Sequence, residues 1–527
     1  MRIAALDLGS NSFHLLIVET RPDGSFNALL REKEVLRLGD VVAREKRLGE
    51  EAIEQAVDVV RRFRAMAENA CADELVAYGT AALREAANGA DAVDRIEAET
   101  GVAIKVISGI KEAQLIFDAV RASVLIEPGP VLSADLGGGS LELSVGDRSG
   151  LVYATSLHLG VGRLTTELVR SDPPSGKDLS RLRRRAGEQL SDVVGDIVEL
   201  RPSQLIGSSG TFGAIVRAAA ALRDGTVPAT VNQLSVTSKE LAELSALALS
   251  LPAADRARLP GIDARRAELL PAGIVVSEAL MEAGGFTELT GCEWALREGI
   301  VLSAIRRHDL ADFGDDPRAI RRASVLSLCR RSSWREAHGR EVAELAVALF
   351  DATAEAHGLG AEERELLELA ALLHDIGEHV SRDGHARHTA YLIENGGLRG
   401  FSPDEVRMLS VLGRYHTRGR PRDTFPAFET LGPDEQQRVL KLLALLRLAD
   451  GLDVSHASVV RRVEAVVTED AVELIVTAKG DAELERWMLQ RKKGLFEEMF
   501  GRCLELWVSA AGHDEFETLQ RGNAGLA

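Results

Sequence analysis

Cysteine is scarce in these 527 residues, with only Cys71, Cys292, Cys329 and Cys503 present, scattered and without a CxxC pair. That pattern argues against a disulfide framework and a zinc knuckle, and predicts a reducing compartment. No apolar run reaches the roughly 18 residues that a membrane-spanning helix needs. An apolar stretch opens at Ile3 but Asp7 interrupts it, so no signal peptide is expected and the chain reads as soluble and cytoplasmic. Positive charge is in deficit: 63 Lys and Arg against 81 Asp and Glu leave a net charge of −18, which argues against general nucleic-acid binding. No low-complexity segment or long linker interrupts the chain. At this length, domains of about 100–200 residues predict three or four of them.

What the chain does have is an internal duplication. The tract VLSADLGGGSLELSV at 131 to 145 repeats IAALDLGSNSFHLLI at 3 to 17, an offset of 128 that sets Asp135 on Asp7, Gly137 on Gly9 and Ser140 on Ser12. Gly207 in QLIGSSGTFGA falls on Gly79 in VAYGTAALREA at the same offset. Each copy reads as an apolar run carrying an acid, a Gly/Ser turn and a second alternating run, which is a β-hairpin pattern. Glycines at 9, 137, 138 and 139 let backbone N–H groups approach an anion without an intervening Cβ. Asp7 and Asp135, one per copy, are placed to hold a hard cation such as Mg²⁺, which binds through few carboxylates plus substrate phosphates. Two such hairpins facing each other make a phosphoryl-transfer cleft.

The strings DLGSNSFHLLI, GTAALREAANG, SGIKEAQLIF, DLGGGSLEL, LGVGRLT, GSSGT and LPAGIVVSEAL, in this order, resemble the exopolyphosphatase and guanosine pentaphosphatase family (Ppx/GppA). The resemblance covers roughly residues 1 to 308 and continues less strictly beyond. It implies an α/β fold of duplicated ribonuclease-H-like (actin-like ATPase) domains. It also implies phosphate contacts from Ser10, Asn11, Ser12, Arg84, Gly137, Gly138, Gly139, Ser140, Gly207, Ser208, Ser209, Gly210 and Thr211. Glu112 matches the family's catalytic Glu. Read from its own surroundings, Glu112 stands just inside a helix capped by Ser108, where an acid is also favourable for the helix itself. Glu142 lies on the returning strand of the second hairpin and matches a family active-site acid, so it is assigned to metal or water positioning.

Boundaries follow from periodicity. Residues 1–124 and 125–308 each alternate strands and helices, the helices falling at about 50–70, 89–100, 110–123, 176–200, 237–251 and 263–284. Residues 309–458 lose the strand signal and show helical spacing, as in VAELAVALFDATAEAH. Residues 459–527 return to two alternating runs and a helix, a small α+β tail. Other basic candidates near the motifs are Lys111, Arg163 and Arg217, while Arg181, Arg183, Arg184 and Arg185 read as a solvated helix face.

The helical stretch holds a second constellation. His338, the His374-Asp375 pair and Asp450 occur in the order and spacing of the HD phosphohydrolase motif, in which imidazoles and carboxylates from separate helices converge on a metal. His379, His385, His388 and His416 add candidate ligands, and the mixed N and O set leaves the ion's identity open. In the resembled family this domain is often an HD relic serving as architecture, but here all four positions carry a ligand-type residue, so a second divalent ion is a candidate there.

The expected activity is a Mg²⁺-dependent (or Mn²⁺-dependent) hydrolase removing the terminal phosphate of inorganic polyphosphate. The runner-up substrate is guanosine 5′-triphosphate 3′-diphosphate, and a reading of another class is a catalytically weak sensor of guanosine polyphosphates. Kinases of the same superfold are the rival enzymes, but the Gly-rich adenosine segment they add is thin here, limited to Gly273 and the Gly284-Gly285 pair. The resemblance leaves room for a homodimer.

Overall fold

The computed structural model describes residues 1–21, 24–126, 128–308, 317–422 and 424–510. They divide into two compact units: Met1–Ala323 with Arg399–Pro403, and Ser324–Leu398 with the chain from Asp404 on. The expected boundary at 308/309 touches residues outside the described ones.

The first unit contains two mixed sheets whose topology displays the duplication. In one, β1 (Arg2–Leu8), β2 (Ser12–Thr20), β3 (Phe26–Val35), β4 (Glu74–Gly79) and β5 (Ile104–Val106) lie in the order β3-β2-β1-β4-β5. In the other, β6 (Val131–Leu136), β7 (Leu141–Asp147), β8 (Gly150–Leu157), β9 (Leu205–Ser208), β10 (Ser235–Thr237) and β11 (Glu288–Gly291) lie in the order β10-β11-β9-β6-β7-β8. Each copy therefore runs as an antiparallel three-strand meander with a parallel strand added beside the first. Asp7 pairs with His14 across one hairpin, and Asp135 with Glu142 across the other.

Strands buried on both faces explain why the apolar runs are nearly continuous. Ala4, Leu6 and Leu8 join one core with Val57, Val60 and Phe63 of the helix Glu50–Asn69. Ile3 and Ala5, pointing the other way, join a second core with Leu115 and Phe117 of the helix Gly109–Arg121 and with Ile300. A third core fills the second sheet's outer side, including Phe212, Ile215 and Ile274.

Most helices stand where the periodicity puts them, Glu50–Asn69 and Gly89–Thr100 among them. Ser108 caps Gly109–Arg121 as read, its Oγ accepting from the Lys111 N–H at 3.2 Å. The expected helix at 176–200 is two, Gly176–Ser191 and Val194–Glu199. The expected start at 263 is displaced: Asp263 caps a single 3₁₀ turn, Ala264–Arg266, and the helix proper begins at Leu270, with Pro271 in its first turn where a missing N–H costs nothing.

The second unit is helical, with Glu336–Ala352, Ala361–Leu373 and Pro433–Leu452 packed on one another. It closes with a three-stranded sheet in the order β12-β13-β14, made of β12 (Val460–Val467), β13 (Ala471–Ala478) and β14 (Cys503–Ala510). The sequence reading finds the first two strands and misses β14, which pairs in parallel with β13 after the intervening helices. Among the described residues no helix is long and apolar enough to cross a membrane. All four cysteines are free, in line with the absence of a pairing pattern.

Candidate active site

The two hairpin turns meet. A Cβ added to Gly138 would stand 2.9 Å from Cβ of Asn11, and one on Gly139 would stand 2.7 Å from Oγ of Ser10. Side chains at these positions would force the turns apart, which is why 138 and 139 are both glycine. Ser10 Oγ also accepts from the Ala82 N–H at 3.0 Å, tying the first turn to the chain after β4. Gly160, in the LGVGRLT string, packs on Gly139 so closely that a Cβ would fall 2.2 Å from the Gly139 carbonyl carbon. The neighbouring Val161 and Arg163 N–H groups donate to the Gly137 and Gly138 carbonyls at 3.0 and 3.1 Å. Gly160→Ala is therefore expected to displace the second turn at a cost of about 1–3 kcal/mol, with a fall in turnover of at least about tenfold, measured by thermal melting and phosphate release.

Between the turns lies a cleft of about 150 Å³. Asp7, Ser10, Asn11, Ser12, Glu112, Asp135, Gly137, Gly138, Gly139, Ser140, Ser209, Gly210 and Thr211 line it. The last three open the helix Ser209–Asp224, whose N-terminal N–H groups and dipole suit an anion. Ser209 takes φ of 81°, unusual for a residue with a side chain, and its Oγ accepts from the Thr211 and Phe212 N–H groups at 3.2 and 3.4 Å.

Four residues proposed from the sequence stand behind the lining. Ser208 is fully buried, and its hydroxyl donates to Asp135 Oδ2 at 2.6 Å. Gly207 faces the ring of Phe212. Arg84 donates to the Ile107 carbonyl at 2.7 Å and to Glu112 Oε2 at 3.3 Å. Glu142 accepts from Ser156 Oγ at 2.8 Å. Of these, Ser208 holds Asp135 and Arg84 holds Glu112.

The electrostatics of the cleft are lopsided. Asp7, Glu112, Asp135 and Glu142 are crowded and largely buried. Burial, against the pull of Arg297 and with the push of Asp135, raises the Asp7 carboxyl to about 7. Burial raises Asp135 to about 6, opposed by the Ser208 hydroxyl and Arg297. Glu142 rises to about 7 by burial, and Glu112 is driven upward by burial and then by Glu142, with Arg84 opposing. Asp7 Oδ1 is buried with no hydrogen-bond partner among the described residues. Like charges forced together out of water, with a free oxygen among them, fit a divalent cation held by Asp7 and Asp135.

The cleft also carries basic groups, and the sequence reading missed them. Arg266, Arg297 and His14 line the cleft. Arg297 donates to His14 Nδ1 at 3.3 Å, so His14 Nε2 carries the proton facing Ser12 Oγ at 2.8 Å. Burial and the cations Arg297, Lys33 and Arg266 hold this imidazole far below its ordinary range, hence neutral. One signal was available: His14 stands at the position of Glu142 in the repeat. Arg266 and Arg297 gave none, because the irregular segment carrying Arg266 reads as a helix. Among the other basic candidates, Arg163 pairs with Glu85, Lys111 with Gln114 and Arg217 with Glu293. Arg183, Arg184 and Arg185 pair with partly or fully exposed acids, in keeping with a solvated face, whereas Arg181 pairs with the buried Asp178.

In the second unit, the structure brings His338, His374, Asp375 and Asp450 together, with His385 and His416 beside them. His379 and His388 are outside these groups among the described residues. His357 is bound to the Phe350 carbonyl and the Leu359 N–H.

Duplicated α/β sheets meeting at a glycine-lined, acid-bearing cleft define a protein of the actin-like fold. Within that class, the Ppx/GppA phosphatase family matches residues 16–308, and Ppx/GppA phosphatase domain III matches 320–495; the chain belongs to this family. It is 36% identical over 303 residues to exopolyphosphatase 1 of Mycobacterium leprae, covering 57% of this chain and 89% of that one. It is 30% identical over 504 residues to guanosine-5′-triphosphate,3′-diphosphate pyrophosphatase of Aeromonas salmonicida, covering 95% of each. Of solved structures, an exopolyphosphatase from Cytophaga hutchinsonii superposes with a TM-score of 0.55 at 27% identity, covering 60% of this chain and 100% of that one. The Aquifex aeolicus family member gives 0.51 at 27%, covering 59% and 99%.

Proposed function

We propose that this chain is an exopolyphosphatase, hydrolysing the terminal phosphoanhydride of inorganic polyphosphate to release orthophosphate. The observation that carries the reading is the cleft itself, lined together by buried acids, arginines and two glycine turns. Hydrolysis through a loose transition state asks the protein to position water and to neutralise oxygens rather than to form covalent bonds. Glu112 accepts the proton of the attacking water, its basicity raised by burial while Arg84 keeps it available as carboxylate. The water oxygen bonds to the terminal phosphorus, the bridging P–O bond breaks, that phosphorus departs as orthophosphate, and the shortened polyphosphate chain keeps the bridging oxygen as its new terminal oxygen. N–H groups of the turns and of the helix at Ser209 hold the phosphate oxygens. Arg266 and Arg297 balance their charge, Ser208 fixes Asp135 from behind, and Glu142 positions the metal or the water. Asp7 and Asp135 would hold Mg²⁺ or Mn²⁺, which when bound supplies positive charge beside the substrate oxygens.

Size and composition favour a bare phosphate chain. A cleft of about 150 Å³ whose described lining contains no Phe, Tyr or Trp offers a guanine base no stacking surface. The alternative substrate, guanosine 5′-triphosphate 3′-diphosphate, draws support from the Aeromonas pyrophosphatase, to which the likeness runs along nearly the whole chain. Phosphate release from long-chain polyphosphate and from the guanosine compound, measured side by side, tests the choice; preference for the latter overturns it. A catalytically weak guanosine polyphosphate sensor would release little phosphate from either. We place the protein in the cytoplasm, acting alone or as a homodimer.

Arg266→Ala is expected to raise the KM for polyphosphate by about tenfold or more with a smaller effect on kcat, since a charged hydrogen bond is worth about 1.5–3 kcal/mol. Steady-state kinetics checks it, and an unchanged KM removes Arg266 from the substrate path.

A further inference from the structure

The duplication sets Ser12 on Ser140 and, two residues further along each returning strand, His14 on Glu142. Both serines are buried and both line the cleft. A hydroxyl has one proton to donate and two lone pairs, so the neighbour that engages it decides what it offers to a ligand. The two copies make that choice in opposite directions. In the first, the order of donors starts at Arg297. A guanidinium has donors only, so its contact with His14 Nδ1 at 3.3 Å makes that nitrogen an acceptor. The ring is then neutral with its proton on Nε2, and burial among Arg297, Lys33 and Arg266 keeps it so. Nε2 lies 2.8 Å from Ser12 Oγ and donates to it. With no other side-chain partner among the described residues, the Ser12 hydroxyl has its own proton left for the cleft.

In the second copy the neighbour is an acid, and a carboxylate only accepts. Glu142 takes one proton from Ser156 Oγ at 2.8 Å. Burial raises this acid, and the hydroxyl of Ser140, donating to it, acts in the opposite sense. Ser140 therefore directs its proton to Glu142 and leaves lone pairs toward the cleft. Phosphate oxygens accept hydrogen bonds, whereas water held near Asp7 and Asp135 has protons to give. A cleft that holds both needs one serine of each kind. An acid at position 14, as strict symmetry would place there, would draw the Ser12 proton away from phosphate and set a negative charge beside it.

We propose that His14 and Glu142 are positioning residues that give the paired serines opposite polarity: Ser12 donates to a phosphate oxygen of the substrate, and Ser140 accepts from a water of the cation held by Asp7 and Asp135. The proposal rests on the phosphoanhydride reading of the cleft and adds to it the residue that orients each serine. His14 acts through Ser12 alone. Its worth is that of one hydrogen bond to a charged oxygen, delivered by a hydroxyl that arrives already oriented.

His14→Phe keeps a ring but can neither accept from Arg297 nor donate to Ser12, and is expected to lower kcat/KM on polyphosphate by about tenfold or more. His14→Gln, whose amide oxygen accepts and whose NH₂ donates, is expected to stay within about threefold of the parent. Ser12→Ala should lose as much as His14→Phe, and the double variant should fall within about twofold of either, because both remove the same contact. Manganese binding to the full chain without substrate, followed by EPR of free Mn²⁺, separates the two serines. Ser140→Ala is expected to weaken it by about tenfold, while Ser12→Ala and His14→Phe leave it unchanged. Folding is checked by thermal melting. Parent-like kcat/KM in His14→Phe, no recovery in His14→Gln, or additive losses in the double variant overturn the relay. Parent-like Mn²⁺ binding in Ser140→Ala overturns the acceptor assignment. If the parent turns over only the guanosine compound, the same ratios are read on that substrate and decide the relay there; a parent inactive on both overturns the proposal together with the cleft reading.

Discussion

Glu112→Gln lowers polyphosphate turnover by about 10²-fold or more with KM nearly unchanged, if this residue is the base. The amide keeps the size and can still face Arg84, which sits 3.3 Å away, so the helix Gly109–Arg121 and its Ser108 cap stay in place. What is lost is a proton acceptor at the cleft wall. Removing a buried acid beside Glu142 also relieves repulsion, so the melting temperature is expected to hold or rise. Phosphate release under saturating polyphosphate is the measurement, and near-normal kcat in the folded variant removes Glu112 from the base role.

Asp7→Asn and Asp135→Asn produce the second large effect. Each is expected to raise the Mg²⁺ concentration for half-maximal rate by about tenfold or more, because a hard cation loses one of its few carboxylates. A stability readout accompanies it. Burial raises Asp7 from 3.8 to about 7, so between those values the unfolded chain has released a proton that the folded chain retains. Stability from this group is therefore complete at low pH and is lost as pH rises toward about 7 and above. In chelator, the parent's melting temperature is expected to fall between pH 5 and pH 8 for this reason, with Asp135 and Glu142 contributing in the same direction. Mg²⁺ should restore part of the loss, and Asp7→Asn should flatten the slope. A parent-like Mg²⁺ dependence in both variants makes these acids structural and disposes of the cleft reading.

The repeat and its alternation fixed the two hairpins, that Asp7 and Asp135 end paired strands beside Gly-rich turns, and that helices cover both faces. These are local properties, carried by the two-residue period of a strand and the backbone freedom of glycine. The helical unit was equally legible in its spacing, and the string order alone singled out Glu112, His374 and Asp375. Tertiary structure decided the rest, because it depends on which distant segments touch. It put Arg266 and Arg297 in the same cleft as the acids, set Ser208 behind Asp135, gave Gly160 its reason by packing it on Gly139, and added β14 beside β13.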